Sequence, residues 1–160
     1  MIGAATLAVG GCGDGEDEPA ATASGAGTKP LTKAPFIART DAICRDVKRA
    51  QEPYARRIRA LSRVDELTRV TPILEGALGE SREGLERLRA LPAPREDRAT
   101  LHAYYEAAGR LLAASAQLAA AARSDDRAKG REVAATAGSL SADEKRLADE
   151  YGFEDCDDVF

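Results

Sequence analysis

Four stretches of this 160-residue chain repeat apolar residues at three- and four-residue steps, and that period points to one kind of element. Side chains so spaced share one side of an α-helix, which must then bury its stripe against neighbours. The first stripe is Ile43, Val47, Ala50, Tyr54, Ile58 and Leu61, with Thr32 as a helix cap and Pro53 as an expected bend. The second is Leu67, Val70, Leu74, Leu78, Leu85 and Leu88, following Asp65 as cap; alternatively, Pro72 splits off a short first turn and Thr71 caps the main segment. Leu91-Pro92-Ala93-Pro94 breaks the chain there. A third stripe runs Leu101, Tyr104 or Tyr105, Ala108, Leu111, Ser115, Leu118 and Ala122. After a turn at Ser124-Asp125-Asp126, the fourth carries Val133, Ala137, Leu140, Leu147 and Tyr151. Gly152 stands where a helix end takes a left-handed residue, and Phe153 supplies the apolar contact that accompanies it. With short turns between helices, residues 33–160 predict an all-α, antiparallel up-down four-helix bundle.

The N-terminus reads differently. Leu7-Ala8-Val9-Gly10-Gly11-Cys12 closes a short apolar stretch with two small residues before a cysteine. It resembles the lipobox of bacterial lipoproteins, in which the cysteine sulfur is joined to diacylglycerol and a peptidase cuts just before it. The resemblance implies a signal-peptide remnant over 1–11, lipidation at Cys12 and anchorage to the outer face of the cell membrane. Met1–Gly11 has no Lys or Arg, whereas a signal peptide begins with positive charge, so either the translation start lies upstream or the lipobox reading fails. The alternative is a plain cysteine in a Gly/Ala-rich tail. Residues 12–32 hold few large apolar groups and read as a disordered, flexible linker with a reach of about 25 Å.

Cysteine parity supports the same reading. Three cysteines are odd for a secreted chain, but if Cys12 is acylated, Cys44 and Cys156 remain as one disulfide in an oxidising compartment. In an up-down bundle the start of helix one lies beside the end of helix four, which is where those two cysteines fall. Charge agrees, since residues 33–63 hold nine basic and three acidic side chains, whereas residues 141–160 hold two basic and eight acidic.

The basic residues Arg45, Arg49, Arg56, Arg59 and Arg63 share one face of the first helix, pointing away from its apolar stripe. They are candidates for contact with anionic lipid or a cell-wall polymer; the bland alternative is a solvated face neutralised by nearby acids. The acidic run Asp149, Glu150, Glu154, Asp155, Asp157 and Asp158 lacks the ligand spacing of a calcium loop and reads as a solvated helix end and tail. His102 is the single histidine, so paired Glu-x-x-His di-iron ligands cannot be assembled, and it reads as a surface residue. No haem, phosphate-loop or zinc motif is present, and neither a metal nor a cofactor is expected. A net charge of −4 speaks against a general nucleic-acid binder. Glu144, beside the fourth stripe, is the only carboxylate a catalytic reading could use, and an edge position is the simpler expectation. Tyr54, Tyr104, Tyr105 and Tyr151 either fill the core or line a groove left by helix glycines such as Gly76, Gly79, Gly84, Gly109, Gly130 and Gly138.

The segments Phe36-Ile37-Ala38-Arg39-Thr40-Asp41-Ala42-Ile43-Cys44 and Glu150-Tyr151-Gly152-Phe153-Glu154-Asp155-Cys156 resemble the paired-Cys signatures of small uncharacterised helical lipoproteins of high-GC Gram-positive bacteria. The resemblance implies an extracytoplasmic helical domain with a terminal disulfide and brings no activity. The reading is therefore a membrane-anchored, non-enzymatic binding or scaffold module of the cell envelope. Its partner is an envelope protein or a cell-wall polymer. The alternatives are a small apolar ligand binder and an enzyme with buried carboxylates.

Overall fold

The computed structural model describes residues 29–61, 67–157 and 159–160. It is a four-helix bundle of α1 (Lys33–Ala60), α2 (Leu67–Arg89), α3 (Arg98–Arg123) and α4 (Arg127–Tyr151), with no strand among the described residues. Expectations placed on residues 1–28, including Cys12 and the linker, and on Arg63 and the Asp65 cap lie outside the described residues.

Each helix boundary has a local cause. Thr32 occupies the cap position of α1 but its hydroxyl makes no capping bond. The third helical residue is Pro35, which has no N–H to offer, so the usual recipient of such a bond is missing. Asp126 does cap α4, its side chain accepting from the Lys129 amide at 2.9 Å, after a turn in which Asp125 adopts the left-handed conformation. The end of α4 closes as expected: Gly152 has φ 100°, and the amides of Gly152 and Phe153 donate to the Asp149 and Ala148 carbonyls at 3.1 and 3.0 Å. Pro72 does not split α2, which runs through it as one helix. Like Pro53 in α1, it lies on an exposed face, where water can take the carbonyl its missing N–H would have served.

Backbone-close packing runs α1 to α2, α2 to α3 and α3 to α4. Helices α1 and α4 do not form such a pair along their length; the start of α1 does lie beside the end of α4, as expected, but through side chains, Phe36 meeting Tyr151 edge-on at 6.1 Å. The segment after α4 takes the place alongside α1. Phe153, Cys156 and Val159 are buried in one core with Phe36, Ile43, Cys44 and Val47 of α1, Leu88 of α2, Leu101 and Tyr104 of α3, and Ala148 and Tyr151 of α4. A second core, Leu78 and Leu85 against Ala108, Leu112 and Ala119, joins α2 to α3. The α3 stripe is thus wider than expected, with Leu118, Ser115 and Ala122 only half-buried while Ala107, Ala114 and Ala121 are covered. Alanine costs little to bury on several sides, so a helix so rich in it is not confined to a single stripe.

Two glycines permit close approach of α1 and α2. A methyl group at Gly84 would stand 2.4 Å from Val47 Cγ2, and one at Gly76 would stand 2.3 Å from the Tyr54 ring. Gly79 and Gly138 face open space. Gly84→Ala is therefore expected to destabilise by roughly 1–2 kcal/mol through overpacking against a stiff, buried valine. Gly79→Ala and Gly138→Ala should each stabilise by up to about 1 kcal/mol through helix propensity. Urea denaturation of the three variants checks the contrast, and a stabilised Gly84→Ala would remove the close-packing account.

Candidate functional site

The most elaborated region is the end of the bundle where α1 begins, α2 meets α3 and α4 stops. Here Cys44 and Cys156 form a disulfide with Cα atoms 5.1 Å apart, closing a separation of 112 residues. Cys156 lies beyond α4, on a strap, residues 152–160, that returns along α1. Asp41 fixes the strap's turn, since its Oδ1 accepts from the Glu154 and Asp155 amides at 3.0 and 3.2 Å. Farther along, Arg45 pairs with Asp155, Lys48 with Asp157 at 2.8 Å, and the Val159 carbonyl accepts from Gln51 and Ser81 at 3.1 and 3.0 Å. The acidic tail is thus a docked element and not the solvated one expected, because its carboxylates meet the cations of α1 at matching steps. Asp158 lies outside the described residues.

Aromatic rings seal this end. Phe153 packs on Tyr151, Tyr104 and Phe36 at centroid distances of 4.8, 5.2 and 6.3 Å, and Phe36 meets Tyr151 edge-on at 6.1 Å. Lys33 Nζ sits 4.4 Å from the Tyr151 ring centre, and Tyr151 donates to Asp97 at 2.7 Å. Burial first, then the bond to Asp97, drive the Tyr151 phenol well above its ordinary pKa. Tyr105 donates to the Leu88 carbonyl at 3.3 Å, and its burial pushes its pKa up to about 12. Tyr54 lies apart, over Gly76. The four tyrosines therefore do not line one groove.

Inside this end sits a group of buried polar side chains. Glu144 is wholly buried, correcting the expectation of an edge position: it occupies the inward stripe of α4 one turn before Ala148. Leu140 and Leu147, expected to hold that stripe, are only half-buried. Tyr104, equally buried, has no partner at ordinary hydrogen-bond geometry. Its main polar neighbour is Glu144, whose charge and looser hydrogen bond, after burial, raise the phenol's pKa far above the usual value; Asp41 adds to the effect. Thr40 is buried on α1, and its hydroxyl also lacks a hydrogen-bond partner among the described residues. No Lys, Arg or His is buried among the described residues. Only the polar type of residue 144 hinted at this in the sequence, where it fell in register with Tyr151 and Ala137.

The basic face of α1 is largely paired with acids. Arg45 reaches Asp155, Arg49 reaches Asp46, and Arg56 and Arg59 share Glu52 at 3.4 and 3.0 Å. Asp46 also accepts from Arg87 of α2 at 2.9 Å, and that bond leads the effects holding its carboxyl below the usual range. Asp157 is held low chiefly by its bond to Lys48. Folded values below unfolded ones mean a stabilising contribution that is full above about pH 4 and lost as pH falls through the folded values. The thermal midpoint should therefore drop as pH falls below about 4, and Asp157→Asn should lessen that drop. An identical acid profile for the variant would show that the Lys48 pair carries none of it.

The opposite end, with the α3–α4 turn, carries surface grooves. An apolar groove of about 250 Å³ is lined by Leu118, Ala121, Ala122, Gly130 and Ala134, with Arg127 and Arg131 at its rim. A second of about 200 Å³ lies over Leu74, Leu78, Ser115 and Leu118 and is bounded by Gln51 and Phe160. His102 is exposed. Among the described residues no three His, Cys, Asp or Glu side chains converge as metal ligands, and no helix is long and apolar enough to cross a membrane. No family model, characterised protein or solved structure matches this chain.

Proposed function

We propose that the protein is an extracytoplasmic lipoprotein, anchored through Cys12 to the outer face of the cell membrane, whose bundle acts as a non-enzymatic binding or scaffold module of the envelope. The observation that carries this reading is the buried Cys44–Cys156 disulfide, which a reducing cytosol would not sustain and which leaves Cys12 as the odd thiol. Polarity of the fold supports it. The chain enters at the stapled end, where the Leu31 amide donates to the Pro92 carbonyl at 2.8 Å, so the opposite end lies farthest from the tether's attachment. That opposite end carries the open apolar groove beside Leu118 and Ala134. Shallow, open grooves suit contact with a partner protein or polymer better than enclosure of a small apolar ligand.

The test is expression of the wild type and Cys12→Ser in a bacterium that processes lipoproteins, followed by fractionation and mass spectrometry of the N-terminal peptide. The expected result is a diacylglyceryl-modified Cys12 in the membrane fraction, lost in the variant. Recovery of an unmodified peptide spanning Cys12 from the wild type would overturn the assignment.

A further inference from the structure

We propose that the seam between α1 and α4 continues past the strap as a docking groove for an acidic, apolar peptide segment of a partner protein, one that repeats the chemistry of the strap itself. This rests on the reading of the bundle as a binding module and is independent of the lipid anchor. No backbone-close packing joins α1 to α4, which leaves a channel between them, and the strap fills the part nearest the disulfide. Its seat is a template. Phe153, Cys156 and Val159 recur every third residue and turn into the core. Carboxylates between them meet cations on both walls: Asp155 meets Arg45, and Asp157 meets Lys48 of α1 at 2.8 Å and Lys145 of α4 at 3.9 Å.

Both walls run on with the same character beyond Phe160, which borders the groove over Leu74, Leu78 and Leu118. On α1 the strap side continues from Lys48 and Gln51 to the half-buried Ala55 and Ile58 and the exposed Arg59. Arg59 and Arg56 share Glu52, so this wall stays positive. On α4, steps of three and four residues back from Lys145 reach Ser141, Gly138, Ala134, Arg131 and Arg127, with Gly138 facing open space. The last three line the groove beside the α3–α4 turn, and Leu118 lies in the floor of both grooves. They are successive stretches of one apolar trough. At its rim, Arg131 is exposed with no ion pair among the described residues, Arg127 is met by Asp125 at 3.3 Å, and Asp126 accepts from the Lys129 amide as the α4 cap. Continuity with the strap's seat and a positive rim select an occupant that is acidic as well as apolar, because like charges across an interface repel. A second copy of this chain cannot offer its own strap, which the disulfide and Asp41 hold in place.

The test is selection of a phage-displayed library of random peptides, of the strap's length, on the oxidised full chain. Fluorescence anisotropy then measures the selected peptides against wild type, Arg131→Glu and Ala134→Tyr, two substitutions at exposed positions, with circular dichroism as the check on folding. The expected peptides intersperse Asp or Glu with Phe, Val or Leu. Their affinity should fall roughly tenfold in Arg131→Glu at low salt, less at high salt, and be lost in Ala134→Tyr, whose ring fills the trough. Selection of basic or uncharged peptides, of none, or of acidic ones that bind both variants as tightly as wild type overturns the proposal. So does a wild-type dimer in sedimentation that Ala134→Tyr dissociates, since a second copy then occupies the trough. Each of these failures leaves the lipidation of Cys12 to its own test by mass spectrometry.

Discussion

Cys156→Ser is expected to lower the unfolding free energy by about 4–5 kcal/mol, which is the loop-closure entropy returned to an unfolded chain no longer tied across so long a separation. That is a large share of the roughly 5–15 kcal/mol of a typical domain. The loss should spread along the strap, because the Asp41 clamp, the Lys48–Asp157 pair and the Val159 carbonyl contacts are local to a segment that the disulfide holds in place. Denaturation of the wild type with and without dithiothreitol, alongside the variant, measures it. Reduced wild type and variant should coincide, both well below the oxidised protein. A midpoint unchanged by reduction would mean that the strap stays docked through its noncovalent contacts and that the link adds little.

Phe36→Ala should cost about 3–5 kcal/mol. Phe36 is fully buried near the start of α1, and its ring meets both Tyr151 at the end of α4 and Phe153 on the strap. Removing it opens a cavity where α1 touches the far end of the chain without any α1–α4 backbone packing to close the gap. Phe160→Ala, at a half-buried ring bordering a groove, should cost much less. Comparison of the two by chemical denaturation tests whether the aromatic seal is the main noncovalent joint. Equal effects would place that joint elsewhere.

The helices were legible because helical period is a local property. Val47, Leu78, Leu85, Leu88, Leu101, Val133 and Tyr151 all fall on stripes read from spacing and are buried. Gly152 and Phe153 were legible because a helix end has few ways to satisfy its last carbonyls. Thr32 misled because the hydroxyl's usual recipient two or three residues on includes a proline. Glu144 misled because a carboxylate in an apolar register is assigned to the rim on cost alone, and only the neighbours supplied by α1 and α3 reveal that the site is interior. The acidic tail misled in the other direction: its charge argued for solvent, while the matching cations of α1 argued for docking.

Sequence by itself determined the four helices, the pairing of Cys44 with Cys156 and the attraction between a basic first helix and an acidic last segment. Each follows from residue spacing, parity or net charge, which need no coordinates. Tertiary structure alone decided that a strap, and not the length of α4, runs along α1, that Gly76 and Gly84 let α2 approach it, and that Glu144 is enclosed with Tyr104. Those facts depend on which surfaces meet across long separations, and that is settled by volume and close packing among all the elements at once.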